Sequence, residues 1–174
     1  LSNAHALEFV RRELNVTLPL YAMLPQVMAT QAIDPMPIRH LIGHVSRTLA
    51  ITPLPDNRVM ISGGWRGKWN ETTQQGDIVP AQVEGNRQEA VAVYPCLADI
   101  AVDEAFADRR ELISADGIPI IDRLAGADNM IIALGWSGHG WAIAPAVSRL
   151  LAQWVLSGEK PDLFEPFAYG RFLK

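Results

Sequence analysis

The stretch that most constrains this chain is residues 130–158, MIIALGWSGHGWAIAPAVSRLLAQWVLSG. Residues 130–134 are an apolar run of strand length, and a glycine-rich turn then opens the most helix-like segment of the sequence. Gly158 stands where a helix C-cap is needed, and Pro161 prevents continuation. The expected order is therefore strand, tight turn, helix. Gly135, Gly138 and Gly140 let the backbone approach a ligand, and the free N–H groups of a first helical turn suit an electron-rich atom. Within the helix, Ala144, Val147, Leu151, Trp154 and Val155 form the expected core stripe.

The rest of the chain must supply what packs around that unit. Residues 6–14 read as a short amphipathic helix with Leu7, Val10 and Leu14 on one face. Residues 18–33 have a strand pattern broken by Pro19 and Pro25. Runs at 38–51 and 58–62 flank Pro53-Leu54-Pro55-Asp56-Asn57, a turn with proline φ angles and Asx chemistry, so this is expected to be a hairpin. Residues 63–77 read as a long functional loop or lid. A helix is expected from Pro80 to Val93, stopped by Pro95 and weakened by Gly85. Short strands follow at 112–113 and 118–121, and the aromatic tail 162–174 is expected to dock. Ser2-Asn3-Ala4 reads as a cloning scar, so residues 1–4 are set aside from the fold argument.

Composition excludes several classes of function. With 174 residues the chain can form one core or two small lobes, and a net charge of −4 with scattered basic residues argues against nucleic acid. No apolar run reaches membrane-spanning length, and one cysteine leaves no intrachain disulfide, which fits a cytoplasmic protein. Cys96, between Pro95 and Leu97, is expected in the core.

Three motifs compete for the chemistry. The G-W-S-G-H turn resembles a hydrolase elbow, but no histidine follows His139 to complete a triad. Gly63-Gly64-Trp65-Arg66-Gly67 follows a strand, yet its spacing is not G-x-G-x-x-G and no packing helix follows. His40 and His44 face one way but lack a third ligand, so no metal is expected. Trp65, Trp69 and Trp136 lie in glycine-rich loops where a planar ligand could stack.

Asp116-Gly117-Ile118-Pro119-Ile120-Ile121, then Gly135-Trp136-Ser137-Gly138-His139-Gly140-Trp141, Ala144-Pro145-Ala146-Val147 and Arg149-Leu150-Leu151, resemble the C-terminal part of the FAD-dependent D-amino-acid oxidase family. The similarity is greatest to the glycine and sarcosine oxidase branch, including its β-subunit type. Leu18-Pro19-Leu20, Gln26, Ala29-Thr30, the run Arg58-Val59-Met60-Ile61-Ser62-Gly63-Gly64, Pro166-Phe167 and Arg171-Phe172 extend the resemblance over nearly the whole chain. Ser114-Ala115 replaces the family's Thr-Pro, and Trp136 stands where histidine or phenylalanine is common.

The resemblance implies an α+β fold: a mainly antiparallel substrate-domain sheet with flanking helices, then the strand-loop-helix that closes the flavin domain. It divides the chain into a substrate-binding lobe, 5–114, and a C-terminal segment of the FAD-binding domain, 115–174. Asp116, Gly117, Pro119, Gly135, Trp136, Ser137, Gly138, His139 and Gly140 would border the pyrimidine end of the flavin. There the amides of residues 137–140 and the helix dipole would stabilise negative charge near N1 and O2. A substrate carboxylate would meet Arg66, Arg109 or Arg110, and Lys68 is the candidate cation for oxygen chemistry. The implied reaction takes a hydride equivalent from a small amino acid or N-methyl amino acid to flavin N5.

The G-x-G-x-x-G strand and loop that would hold the ADP half of FAD have no counterpart in this sequence. The resemblance therefore implies a partner lobe that supplies them, an isolated chain without activity, and an apolar face that drives self-association. Two other readings stand beside this one: a non-catalytic amino-acid- or protein-binding module, and a structural subunit of a multi-subunit oxidase.

Overall fold

The structure is a computed structural model that describes residues 5–124 and 126–173. The expected cloning scar at 1–4 lies outside the described residues. Two compact units are present: one takes in Leu1–Met23 and Arg110–Lys174, the other Leu24–Arg109. They part at Met23/Leu24 and Arg109/Arg110. The physical reason is strand pairing: β1 (Leu20–Met23) pairs antiparallel with β9 (Glu111–Ser114), so the N-terminal segment belongs with the C-terminal part.

The Leu24–Arg109 unit is built on a five-stranded antiparallel sheet. Its strands are β2 (Val27–Thr30), β3 (Ile42–Gly43), β4 (Ala50–Pro53), β5 (Val59–Ser62) and β8 (Val102–Phe106), in the order β3-β4-β5-β2-β8. β4 and β5 form the hairpin anticipated from the proline-rich turn. Asn57 takes φ 60°, and the Asp56 carboxylate accepts from the Arg58 backbone amide at 3.3 Å and from its Nε at 2.6 Å. Met28, Ile51, Val59 and Ile61 form the core with Ala90 of the helix α2 (Pro80–Val93). That helix begins at Pro80 and ends before Pro95, as those residues require. Buried Gln26 fixes its approach by accepting from the Val79 amide at 2.8 Å, and buried Asn86 ties it to β5 through Nδ2 and the Ser62 carbonyl at 3.1 Å.

Three expectations in this unit are corrected. Residues 63–77 are not a lid: β6 (Lys68–Asn70) and β7 (Gln75–Asp77) pair as a hairpin whose turn is set by Asn70 Oδ1, which accepts from the amides of Thr72 and Thr73. Cys96 is exposed, because the single 3₁₀ turn Pro95–Leu97 directs Leu97 into the core and its neighbour outward. Trp65 is not held open for stacking. Its Nε1 donates to the Thr48 carbonyl at 2.6 Å, and its ring lies where a side chain on Gly85 would be, 2.6 Å from that Cβ position.

The other unit places α1 (His5–Leu14) with Val10 buried against Ile120, Ile132 and Leu134. β10 (Ile120–Arg123) and β11 (Ile131–Leu134) form a second antiparallel hairpin, and α3 (Gly140–Ser157) follows the glycine-rich turn. Gly158 adopts φ 77° and donates to the Trp154 carbonyl at 2.8 Å, the expected C-cap. The buried stripe of α3 differs from expectation at its edges. Ile143, Val147, Leu150, Leu151 and Trp154 face the core, whereas Ala144 and Val155 are exposed. The tail docks through Phe164, which is buried with its ring centroid 6.1 Å from that of Trp154.

All named strand pairs among the described residues are antiparallel, so the class is mixed α+β. No helix among the described residues is long and apolar enough to cross a membrane.

Candidate functional site

Two turns of the Leu1–Met23 and Arg110–Lys174 unit come together. The first joins β9 to β10. The Gly117 amide closes it onto the Ser114 carbonyl at 3.1 Å, and Gly117 takes φ 76°, a conformation that side chains resist. Asp116 Oδ1 accepts from Ser114 Oγ and from the Ile118 amide, both at 3.0 Å. The second turn joins β11 to α3. Trp136 bridges back to Ile113, and Ser137 is held at φ 51°.

One serine links the two turns. Ser137 Oγ accepts from the Ser114 amide at 3.2 Å and donates to the Gly135 carbonyl at 3.0 Å. Ser114 is buried, so its backbone and hydroxyl fasten Asp116 on one side and Ser137 on the other. This is why the Asp-Gly and Gly-x-x-Gly-x-Gly segments act as one surface although about twenty residues separate them.

The tail completes the cluster. Arg171 Nε donates to Asp116 Oδ2 at 2.7 Å, its Nη2 reaches the Ile118 carbonyl at 2.6 Å, and its Nη1 reaches the Ala168 carbonyl at 3.0 Å. The Arg171 guanidinium pulls the Asp116 carboxyl down from 3.8 to about 2; burial opposes this, and the Ile118 amide and Ser114 hydroxyl assist it. A second clamp lies on β10, where Asp122 accepts from Lys160 Nζ at 3.0 Å and from the Tyr169 amide at 2.8 Å.

A cavity of about 580 Å³ opens beside the second turn, with Trp136, Gly138, Gly140 and Trp141 on its wall. Gly138 has no heavy atom within 4 Å of where a Cβ would stand, whereas the equivalent atom on Gly140 would lie 3.3 Å from the Trp136 side chain. Gly135 faces inward, 2.6 Å from Leu20 by the same measure, and its role is packing. His139 is exposed at the start of α3 and makes no side-chain capping bond.

The supply of amides is narrower than the sequence implies. Gly138 N–H donates to Glu111 Oε1, His139 N–H to the Trp136 carbonyl at 2.9 Å, and Ser137 N–H weakly to the Leu112 carbonyl at 3.5 Å. Among the described hydrogen bonds, none is donated by the Gly140 or Trp141 amide at the first turn of α3.

The remaining sequence candidates are placed elsewhere. Lys68 is exposed on β6 opposite Asp77, Arg66 is exposed opposite Pro25, and Arg109 is 93% exposed with its Nε 3.9 Å from Asp108. Arg110 is exposed immediately before β9 and is not among the residues lining the cavity. Glu111 and Arg171 carry contacts that the sequence reading assigned to neither. The available signal was indirect, since Arg171 already stood in a family-like ending and Glu111 preceded a strand run.

Gly138 is sterically open, Gly140 begins a helix of 18 residues, and the cavity beside them is flanked by indoles. Comparisons with known proteins agree in fold and family. The chain is 24% identical over 156 residues to the bifunctional protein ThiO/ThiG of Trichormus variabilis, covering 90% of this chain and 23% of that protein. It is 27% identical over 119 residues to a glycine oxidase of Bacillus licheniformis, covering 67% of this chain and 31% of that one. Thus it spans about a quarter to a third of the length of these curated relatives. In fold it is similar to L-proline dehydrogenase from P. horikoshii, with a TM-score of 0.79 at 20% identity, covering 92% of this chain and 42% of that one. Glycine oxidase from Geobacillus kaustophilus gives 0.75 at 16% identity with the same two coverages. Residues 2–154 match the family profile described as FAD dependent oxidoreductase, and the chain belongs to that family.

Proposed function

We propose that this chain is the substrate-lobe and flavin-edge portion of an FAD-dependent oxidoreductase that oxidises a small amino acid or N-methyl amino acid, of the glycine and sarcosine oxidase type. The observation that supports it most is the Ser114–Ser137 link, which fastens an Asp-Gly turn to a glycine-rich helix entry beside an open cavity. Asp116, Gly117 and Pro119 shape one turn and residues 135–140 the other, so these are the groups that would hold the pyrimidine edge of the flavin. Bound flavin would supply the two-electron acceptor. The chain would supply orientation: Gly140 and Trp141 amides and the α3 dipole aimed at an electron-rich edge, with the turns held rigid by Asp116 and Arg171.

A cytoplasmic partner lobe carrying the dinucleotide fingerprint would hold the ADP half of FAD. Trp141, Val155, Leu156 and Leu163 stand 97%, 67%, 88% and 69% exposed. Exposed apolar side chains of this size favour self-association of the chain, and strictly monomeric sedimentation at high concentration would count against that reading. The main test is a longer polypeptide that includes the fingerprint. It should purify with flavin absorbance that bleaches anaerobically with sarcosine, glycine or a D-amino acid, while the present chain retains little or no flavin. Flavin retained stoichiometrically by the present chain, or a longer polypeptide that binds flavin but bleaches with no amine, would overturn the assignment.

A further inference from the structure

We infer that Arg171, in the tail, tunes the reduction potential of the flavin by cancelling the charge of Asp116 at the β9–β10 turn. This rests on the function proposed above and deepens it. Arg171 does not line the cavity, and it acts through Asp116 as a positioning residue whose effect is one of charge.

Two carboxylates are tied to the pair of turns that would border the cofactor. Glu111 Oε1 accepts from the Gly138 amide, and Asp116 Oδ1 accepts from Ser114 Oγ and the Ile118 amide, each at 3.0 Å. Both charges oppose an edge that gains electron density on reduction, and the roughly half-unit of positive charge at the α3 N-terminus offsets only part of them. Arg171 cancels one of the two. Its Nε donates to Asp116 Oδ2 at 2.7 Å and its Nη2 to Oδ1 at 3.2 Å, a two-point contact between side chains only 19% and 33% exposed.

Each partner has a tether of its own, so the pair can be taken apart one charge at a time. Without the Asp116 carboxylate, the Arg171 guanidinium still donates to the Ile118 carbonyl at 2.6 Å and to the Ala168 carbonyl at 3.0 Å. Without Arg171, Asp116 still accepts from Ser114 Oγ and the Ile118 amide. Arg171 holds the Asp116 carboxyl at about 2, and even a return to 3.8 leaves it ionised at neutral pH. Removing Arg171 therefore uncovers a full negative charge at the turn, and removing the Asp116 charge uncovers a full positive one.

The second tail clamp is an internal control. Lys160 and Asp122 bind the same tail at 3.0 Å, but Asp122 lies within β10 and its other contact is the Tyr169 amide. Breaking that pair loosens the tail without uncovering a charge at either turn.

The test measures the flavin potential of the longer polypeptide by equilibration with redox dyes. Arg171→Gln should make the flavin harder to reduce and Asp116→Asn easier, each by about threefold to tenfold in the oxidised-to-reduced equilibrium at low salt. Tenfold corresponds to about 30 mV for a two-electron couple. The double variant should return to within about twofold of the starting value, because the two charges cancel. Arg171→Lys, which keeps the charge, should stay close to that value, and so should Lys160→Gln. Both single shifts should shrink in about 1 M salt. On the chain as given, without flavin, amide exchange at residues 138–141 should be unchanged in Arg171→Gln, since a charge effect displaces nothing at that turn. Single shifts of the same sign, no shift in either, an equal shift in Lys160→Gln, or faster exchange at residues 138–141 would overturn the inference. Should Arg171→Gln fail to fold, the Asp116→Asn variant decides by its sign. A longer polypeptide that bleaches with an amine but shows one of those contrary results loses this inference alone; one that holds no flavin loses both readings.

Discussion

Two glycine-rich stretches of this protein look alike on paper and differ in what their glycines do. Residues 63–67, Gly-Gly-Trp-Arg-Gly, and residues 135–141, Gly-Trp-Ser-Gly-His-Gly-Trp, each follow a strand and each contain indoles. In the first, space is consumed by the protein's own packing. A Cβ on Gly63 would lie 2.6 Å from the backbone of Leu49, one on Gly67 would lie 2.5 Å from Ala107, and Trp65 occupies the gap left by Gly85. In the second, Gly135 is used in that way and Gly140 stands close to the Trp136 side chain. Gly138 opens onto a cavity, and Trp141 is 97% exposed. Glycine content therefore marks close approach in both places, but what approaches is the chain itself in one and solvent or ligand in the other.

Substitutions can break or sharpen that contrast. The largest effect is expected for Gly63→Ala, which combines a φ of 126° with a backbone clash at Leu49. It should cost about 4 kcal/mol, read as a lowered midpoint in urea. Gly85→Ala should cost about 2 kcal/mol, because the alanine's helical advantage is smaller than the displacement of the Trp65 ring. Gly138→Ala meets open space and bears only its φ of 81°, so a cost of about 1 kcal/mol is expected in the same assay. Equal costs for Gly63→Ala and Gly138→Ala would remove the distinction.

The smallest effect concerns the tail clamp. The Asp116 carboxyl is lowered from 3.8 to about 2, chiefly by Arg171. A depressed carboxyl stabilises the fold above its unfolded value, so this contribution is complete above about pH 4 and is lost as pH falls through the window from 3.8 to 2. At a partly exposed pair, solvent screening reduces it to about 1 kcal/mol or less. Asp116→Asn should flatten that part of the pH–stability curve, and Arg171→Ala should shift its midpoint toward 3.8.

Much of the frame was legible from local chemistry. Pro80 and Pro95 bound α2, Gly158 caps α3, and Asp56-Asn57 turn the β4–β5 hairpin because each acts through its own backbone. The pairing of β1 with β9 was not legible, since nothing near Leu20 specifies a partner at Ser114. β8, Val-Asp-Glu-Ala-Phe, carries no clear strand signal because two acidic residues interrupt its apolar pattern at a sheet edge. The β6–β7 hairpin was hidden by polar composition that serves its turn.

The site divides in the same way. Its glycine-rich turns were visible as motifs, but the Arg171–Asp116 pair joins residues 55 apart and the Glu111–Gly138 contact residues 27 apart. Such pairs exist only once the strands are placed. That placement also engages the amides of Ser137, Gly138 and His139 with acceptors of the protein itself.

The central claim is that the second glycine stretch, and not the first, faces the flavin. Backbone-amide NMR shifts recorded while this chain is titrated with FAD test it most directly. The account predicts weak, saturable shifts centred on Gly140 and Trp141, extending to Asp116 and Gly117, with residues 63–67 unmoved. Shifts centred on residues 63–67, or no shift at Gly140 and Trp141 up to the solubility limit of FAD, would contradict it.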